Sequence, residues 1–418
     1  MIGTRHQFIA RKTVWTLFAA QSLGSAGIVA TAAINTIVSA DLAGGARWSG
    51  APTAVYLIAG ALAVFAWGQS MSRLGWRGGL TLGLSLAVAG SVVAASSVQF
   101  HSLILFVISM ALLGIGNAAL NLARFAAAEV HLPAERGRAV SNVVIGGTVG
   151  AVLGPWIVGP SSGWAAAFGW SELVGPYLGS VILFALAAVV VFISLRPEPR
   201  EVGREIAAQH PESAPTASGA ARTISQILRA PAAFTAIAAM VFGQAVMIMV
   251  MVITSLHMKN LHHELGDIGI VISSHVFGMY AFSILSGQLA DRWGRGPAIL
   301  IGAATLIAAC LAAPLSPDVI PIGVALFLLG LGWNFCYVGG SSLLADQLSP
   351  DERGQMQGFN DLLIGFVSAA GSLGSGLVFA AVGYGVMGLV GAVAALIPLG
   401  LALGWQATRI APPTAQPT

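Results

Sequence analysis

Charge is what this 418-residue chain has least of. Only 8% of its residues are Asp, Glu, Lys or Arg, where soluble domains carry about a quarter. That scarcity excludes an ordinary soluble domain. The net charge of +3 is too small to argue for a nucleic-acid partner. Cysteine is nearly absent as well. Cys310 and Cys336 both fall inside apolar runs, which predicts neither a disulfide nor a metal cluster. No Walker-type phosphate loop occurs anywhere, which argues against ATP as a driving force, and nothing in the sequence asks for a cofactor.

Apolar residues fill the space. They make up 56% of the chain, and the mean hydropathy is +0.84. Glycine, at 52 residues, suits closely packed transmembrane helices. A spanning helix needs about 20 mostly apolar residues. Twelve runs qualify, near 13–39, 51–71, 79–97, 101–127, 139–160, 172–195, 231–255, 267–289, 297–315, 319–344, 355–381 and 384–406. Strands of a membrane barrel would be shorter and would alternate in polarity, and these runs do not. The first run is too long for a signal-peptide core and has no small-residue cleavage site after it, so it is expected to be mature structure.

The basic residues set the orientation. Seventeen of the nineteen Lys and Arg residues fall in segments that twelve spans place on one side, and only Arg47 and Lys259 fall on the other. The excess of Lys and Arg marks the cytoplasmic side. Both termini are therefore expected in the cytoplasm of a multi-pass protein of the plasma (inner) membrane. Between the sixth and seventh runs the composition turns polar, with Pro197, Pro199, Pro211 and Pro215 among Glu, Arg and Ser. This predicts an N-terminal six-helix bundle over 1–195, a cytoplasmic linker over 196–230, and a C-terminal six-helix bundle over 231–418.

The two halves repeat. The stretch GQSMSRLGWR at 68–77 recurs as GQLADRWGR at 287–295, an offset of 219. LGIGN at 113–117 recurs as LGLGWN at 329–334, and PAERG at 133–137 as PDERG at 350–354, with offsets of 216 and 217. Chance similarity between apolar segments would not keep charged landmarks in order and at near-constant spacing. The two copies at 68–77 and 287–295 read as tight, charged, glycine-punctuated turns between spans.

These turns resemble the signature loop of the major facilitator superfamily of transporters, and the resemblance extends over nearly the whole chain. It implies an all-α membrane protein with 12 transmembrane helices in two pseudo-symmetric six-helix bundles and a substrate site near the membrane midplane. The second copy matches the family pattern at Gly287, Asp291, Arg292, Gly294 and Arg295. The first keeps Gly68 and Arg73 but has Ser72 where the family has Asp. By that resemblance Asp291 holds a conformational latch with arginines, near Arg136, with Arg353 at the matching position of the second half. Ser72 could only cap a helix by hydrogen bonding. The alternative is that both are plain turns carrying cytoplasmic charge. In the fifth run, Gly150, Gly154, Pro155 and Gly159 resemble the glycine-proline motif of antiporters, which implies efflux. Close packing of small residues explains the same glycines, and Pro155 bends the helix. The arginine that drug exporters carry in the fourth helix is missing, with Met110 near its place.

Polar groups inside a membrane are expensive and therefore candidates for function. They are Asn117, Asn121 and Arg124 in the fourth run, Gln244 in the seventh, His275 and Tyr280 in the eighth, Trp333, Asn334 and Tyr337 in the tenth, and Asp361 in the eleventh. In the family, helices 1, 4, 7 and 10 line the central cavity. Each residue has a structural alternative. Histidine ordinarily titrates near neutral pH, so His275 suits proton coupling, or it is a neutral histidine bonded to a neighbouring helix. Asn334 and Gln244 bind substrate or join helices. Trp333 and Tyr337 stack on an aromatic solute or fill the core. Arg124 attracts an anion or snorkels to the surface. Asp361 accepts a proton, pairs with Arg124, or supplies negative charge at a helix start. The methionines of the seventh run and His257, His262 and His263 after it lack the acidic or paired-cysteine companions of a metal site.

The expected protein is a monomeric secondary transporter in the lipid bilayer, neither an enzyme nor a nucleic-acid binder. It moves a small organic molecule by alternating access, with H+ as coupling ion and efflux preferred. Nutrient uptake by the same fold and a non-transporting membrane sensor are the alternatives.

Overall fold

The computed structural model describes residues 2–132, 135–209 and 222–410. Pro133 of the repeated motif, Pro211 and Pro215 of the expected linker, and residues 411–418 lie outside the described residues. The chain divides into two compact units, one of Met1–Thr216 with Ser255–Ser273, the other of Ala217–Thr254 with Ser274–Thr418.

The elements are helical throughout the described residues. In the first unit they run α1 (Ile2–Ala32), α2 (Asn35–Ala43), α3 (Ala51–Gln99), α4 (Leu103–Asn121), α5 (Ala123–Glu129), α6 (Arg136–Leu153), α7 (Val158–Ala167), α8 (Gly175–Ser194) and α9 (Pro199–Gln209). Then follow α10 (Ile224–Leu228), α11 (Pro231–Asn260), α12 (Leu265–Tyr280), α13 (Ser283–Trp293), α14 (Arg295–Ala312), α15 (Val319–Ala345) and α16 (Pro350–Ile410). A helix satisfies its own backbone, which the bilayer interior demands.

Among the described residues, ten stretches are long and apolar enough to cross a membrane, and two of them, Ala46–Gln99 and Gln355–Ala407, are 54 and 53 residues long. Each of these two is interrupted by one glycine in a backbone conformation that side chains disfavour: Gly75 at φ 71°, ψ 173° and Gly383 at φ 76°, ψ 178°. Twelve spanning segments result.

The signature turns are tighter than the sequence suggests. Gly287 through Trp293 belong to α13, and the reversal falls on Gly294 alone, at φ 100° and ψ 160°. In the first copy, Gly68 through Leu74 are helical and Gly75 alone breaks the run. The helix period simply continues through the charged residues.

Backbone proximity joins the spans. On α6, Gly146 and Gly150, and just beyond it Gly154, face Phe18, Ser22 and Ala26 of α1. A Cβ at Gly150 would lie 1.8 Å from the Ser22 carbonyl oxygen, and Cβ atoms at the other two would lie 2.6 and 2.4 Å from the matching carbonyls. The Ser22 hydroxyl donates to the Gly146 carbonyl at 2.7 Å. Only glycine permits this approach.

The repeat holds in the packing. A Cβ at Gly114 would meet the Tyr56 carbonyl oxygen at 2.2 Å, and one at Gly330 would meet that of His275 at 2.2 Å. Gly116 lies likewise against the Gly83 carbonyl and Gly332 against that of Gly302. Tyr56 and His275 are 219 apart in number, as are Gly83 and Gly302, the offset of the signature turns.

Candidate functional site

The second unit gathers the aromatic candidates. Trp333 and Tyr337, one helical turn apart on α15, stack with ring centroids 5.0 Å apart and planes 21° from parallel. Tyr280, at the end of α12, meets Trp333 edge-on at 6.1 Å. The Trp333 indole Nε1 donates to Gln244 Oε1 at 2.7 Å, and Gln244 Nε2 donates to Ser368 Oγ at 2.9 Å. Gln244 is thus spent on both sides, tying α11 to α15 and α16 and fixing the indole plane. Tyr280 is 37% exposed while Trp333 and Gln244 are buried. A half-open aromatic surface backed by a satisfied amide can receive a flat apolar ring.

Asn334 turns away from this group. Its Nδ2 donates to the Met279 carbonyl at 2.7 Å and to Ser283 Oγ at 2.8 Å, bracing α15 against the α12–α13 junction. Its Oδ1 is buried without a partner among the described residues. His275, fully buried on α12, donates from Nδ1 to the Leu326 carbonyl at 2.9 Å. Its Nε2 has no partner among the described residues. Both readings made of His275 thus have a physical basis: one nitrogen braces a neighbouring helix, and the other is uncommitted.

Asp361 departs from expectation. Helix α16 opens at Pro350, so Asp361 is not at a helix start and supplies no N-terminal charge. Its Oδ1 accepts from Gln357 Nε2 at 2.8 Å, on an exposed face.

In the first unit, Asn117 is half-buried on α4 and Asn121 is exposed at its end. Arg124, also exposed, lies with its guanidinium carbon 5.0 Å from the Phe125 ring centroid, a cation–π contact at the edge of the helix. Sequence reading missed Tyr177, fully buried, whose hydroxyl donates to Asn35 Oδ1 at 2.9 Å. It also missed Ser368. Single polar residues in apolar helices give no signal of which neighbour they meet.

The residues assigned to gating divide into two kinds. Asp291 pairs with Arg295, Oδ1 to Nη1 at 2.5 Å, and Arg295 Nε also donates to Asp346 Oδ2 at 3.1 Å. The Asp291 side chain is 71% exposed, so the pair itself adds little to stability. The exposed Arg136 donates from Nε to the His131 carbonyl. Arg73, Arg292 and Arg353 are exposed. Ser72 caps no helix start, contrary to expectation. Its hydroxyl donates back to the Gln69 carbonyl at 2.6 Å, inside the same helix.

Pro155 belongs to a short 3₁₀ turn, Gly154–Ile157, between α6 and α7. Across from it, within the same unit, a Cβ at Gly269 would lie 2.3 Å from the Pro155 carbonyl oxygen, and Gly159 lies against Gly266. The Trp156 indole donates to Ser273 Oγ at 2.9 Å, and Ser273 Oγ donates to the Val152 carbonyl at 2.5 Å. Lys259 and Glu172 pair at 2.6 Å. The glycine-proline segment is therefore a two-sided contact, with α1 on one side and the start of α12 on the other.

Comparison with known proteins identifies the family. The Major Facilitator Superfamily matches residues 13–264 and 235–417. The uncharacterized MFS-type transporter YdeG of Bacillus subtilis is 31% identical over 94% of this chain and 91% of its own. The riboflavin transporter RfnT of Brucella anthropi is 27% identical over 86% of this chain and 87% of its own. Among solved structures, a bacterial homologue of the human lysosomal transporter Spinster, inward-facing and unoccupied, superposes with a TM-score of 0.67 at 15% identity, covering 97% of each chain. Twelve spans, a twofold repeat of packing and these matches lead to one conclusion: the chain belongs to the Major Facilitator Superfamily.

Proposed function

We propose that the protein is a proton-coupled secondary transporter that carries a small, flat aromatic or heteroaromatic solute by alternating access. The observation that carries the cargo class is the Trp333–Tyr337 stack with Tyr280 at its edge, held in place by Gln244. Aromatic rings prefer offset or edge-on partners and bind them without a charge. The similarity to a riboflavin transporter over most of both chains supports a cargo of that chemistry. The absence of Asp or Glu from the middle of the first-half spans disfavours multiply charged cargo.

In this reading His275 carries the proton, since its Nε2 is buried and uncommitted among the described residues. Asn117, Asn121, Arg124, Asn334 and Asp361 are the further polar candidates for cargo or coupling. Gly68, Ser72, Arg73, Arg136, Gly154, Pro155, Gly287, Asp291, Arg292, Gly294, Arg295 and Arg353 serve the conformational change. Residues 1–195 and 231–418 are the two six-helix bundles and 196–230 the cytoplasmic linker. The protein works as a monomer in the inner membrane with both termini inside. Efflux is preferred for the sake of the glycine-proline segment. Uptake is the second reading.

The test is flux in proteoliposomes with an imposed proton gradient, using riboflavin first and then a panel of flat aromatic compounds. Gradient-dependent movement of at least one of them is expected. A complete absence of such movement across the panel sinks the reading. Gene deletion separates direction: hypersensitivity to a toxic aromatic means efflux, and loss of growth on an aromatic nutrient means uptake.

A further inference from the structure

The first signature turn lacks the carboxylate that its repeat has, because Ser72 stands where the second half has Asp291. A carboxylate reaches that turn from elsewhere. Glu198, just before α9, accepts from the backbone N–H of Trp76 at 2.5 Å through Oε1 and from that of Arg77 at 3.2 Å through Oε2. These are the first N–H groups after the break at Gly75, where the helix restarts and its donors are otherwise unsatisfied. The carboxylate lies so close beneath Gly75 that a Cβ there would meet it at 2.9 Å.

The segment around Glu198 is fastened too. Arg200 donates from Nη1 to the carbonyl of Ser72 itself. Val202 and Ile206 of α9 are buried with Ala10 and Val130, and Ile9 and Leu132 pack against them. The Trp76 indole donates to Glu129. That bond repeats in the second unit with different residues. Arg295 stands 219 after Trp76 and Asp346 stands 217 after Glu129, and those two pair at 3.1 Å. What the second unit adds through Asp291 within the motif, the first unit adds from outside it.

We propose that Glu198 is the carboxylate of the first-half signature turn, and that α9 is a strap whose docking on that turn delivers it. This rests on the transporter reading for its purpose, while its test reads the turn directly. Charge at a helix start stabilises the helix, and the strap makes that stabilisation conditional on the linker. Ser72 is then sufficient in the motif, because the negative charge needed at this turn arrives from the sixth span's end.

The test is amide hydrogen exchange of the purified full chain in lipid nanodiscs, read on peptides covering 73–80 and 199–209. In Glu198→Gln both should exchange roughly five- to tenfold faster, the scale of a lost helix cap, while Glu201→Gln, at an exposed neighbour, should leave 73–80 unchanged. Adding Ser72→Asp with Trp76→Arg to Glu198→Gln transplants the second-half arrangement, and it should restore protection at 73–80 but not at 199–209. Unchanged exchange at 73–80 in Glu198→Gln overturns the proposal, as does failure of the transplant to restore it. If Glu198→Gln does not accumulate, recovery of accumulation in the transplant supports the assignment and continued loss refutes it. None of these outcomes depends on transport, so a failed flux assay leaves them intact.

Discussion

Arg222 holds the Glu352 carboxylate by three N–H bonds: its backbone N at 3.0 Å, Nε at 2.7 Å and Nη2 at 2.8 Å. Ser349 N adds a fourth at 3.0 Å, and Arg222 Nη2 also donates to the Gln347 carbonyl. The Glu352 side chain is only 3% exposed. The bonds from the Arg222 side chain first, then from the Ser349 backbone, hold the Glu352 carboxyl well below the usual carboxylate range, and the same contact raises Arg222. Since the folded-state value is depressed, the stability it contributes is present above the unfolded value of about 4.3. It is lost as pH falls through that value towards the folded one. Thermal unfolding in detergent should therefore drop more steeply in wild type than in Glu352→Gln on acidification from about pH 5, with Glu352→Gln already less stable at neutral pH. Equal pH slopes would leave the clasp without a role.

Gly150 has no room for a side chain against Ser22. Gly150→Leu should cost at least about 1–3 kcal/mol and lower both yield and melting temperature. Gly163→Ala, where nothing lies within 4 Å, should be neutral or stabilise by about 0.5–1 kcal/mol. Similar melting temperatures for the two variants would contradict the α1–α6 approach.

Gln244→Leu leaves the Trp333 indole N–H and the Ser368 hydroxyl without their partner. An unpaired buried polar group costs about 1–3 kcal/mol, and the freed indole should weaken binding of whichever aromatic solute the flux panel identifies roughly tenfold. Ligand-dependent thermal shift measures this. Trp333→Phe, which keeps a ring but not the donor, should lose less than Trp333→Ala. Equal losses would mean that the ring face is not what binds.

Asp291→Asn weakens the 2.5 Å pair with Arg295. It should slow flux about tenfold, a change of about 1.4 kcal/mol, whereas Ser72→Ala should stay near wild type because its hydroxyl serves only its own helix. Equal, mild effects would remove the asymmetry between the two turns.

His275→Ala should flatten the pH dependence of flux and uncouple it from the proton gradient. A pH profile matching wild type would leave His275 as a brace for Leu326 alone.

The twelve spans were legible because membrane thickness imposes a length that composition reveals. Even the breaks were visible: the gaps left between runs at 71–79 and 381–384 contain Gly75 and Gly383. The turns were overdrawn, since charged residues such as Asp291 and Arg292 look like loop yet continue the helix of α13. Asp361 was misplaced because the polar stretch 350–355 looks like loop yet already belongs to α16. Trp333, Gln244 and Tyr337 stood out as candidates, but that they meet was not readable. Glu198 went unremarked among linker charges, for its meaning lies in two backbone N–H groups more than a hundred residues away.

A one-residue reversal has mechanical consequences. At Gly75 and Gly294 the chain leaves one span and enters the next with no spare length. Neither pair of adjoining spans can slide like a piston past its neighbour without unwinding a helical turn. Each behaves as a stiff fork, so a push on the stem of one tine arrives undiminished at the other.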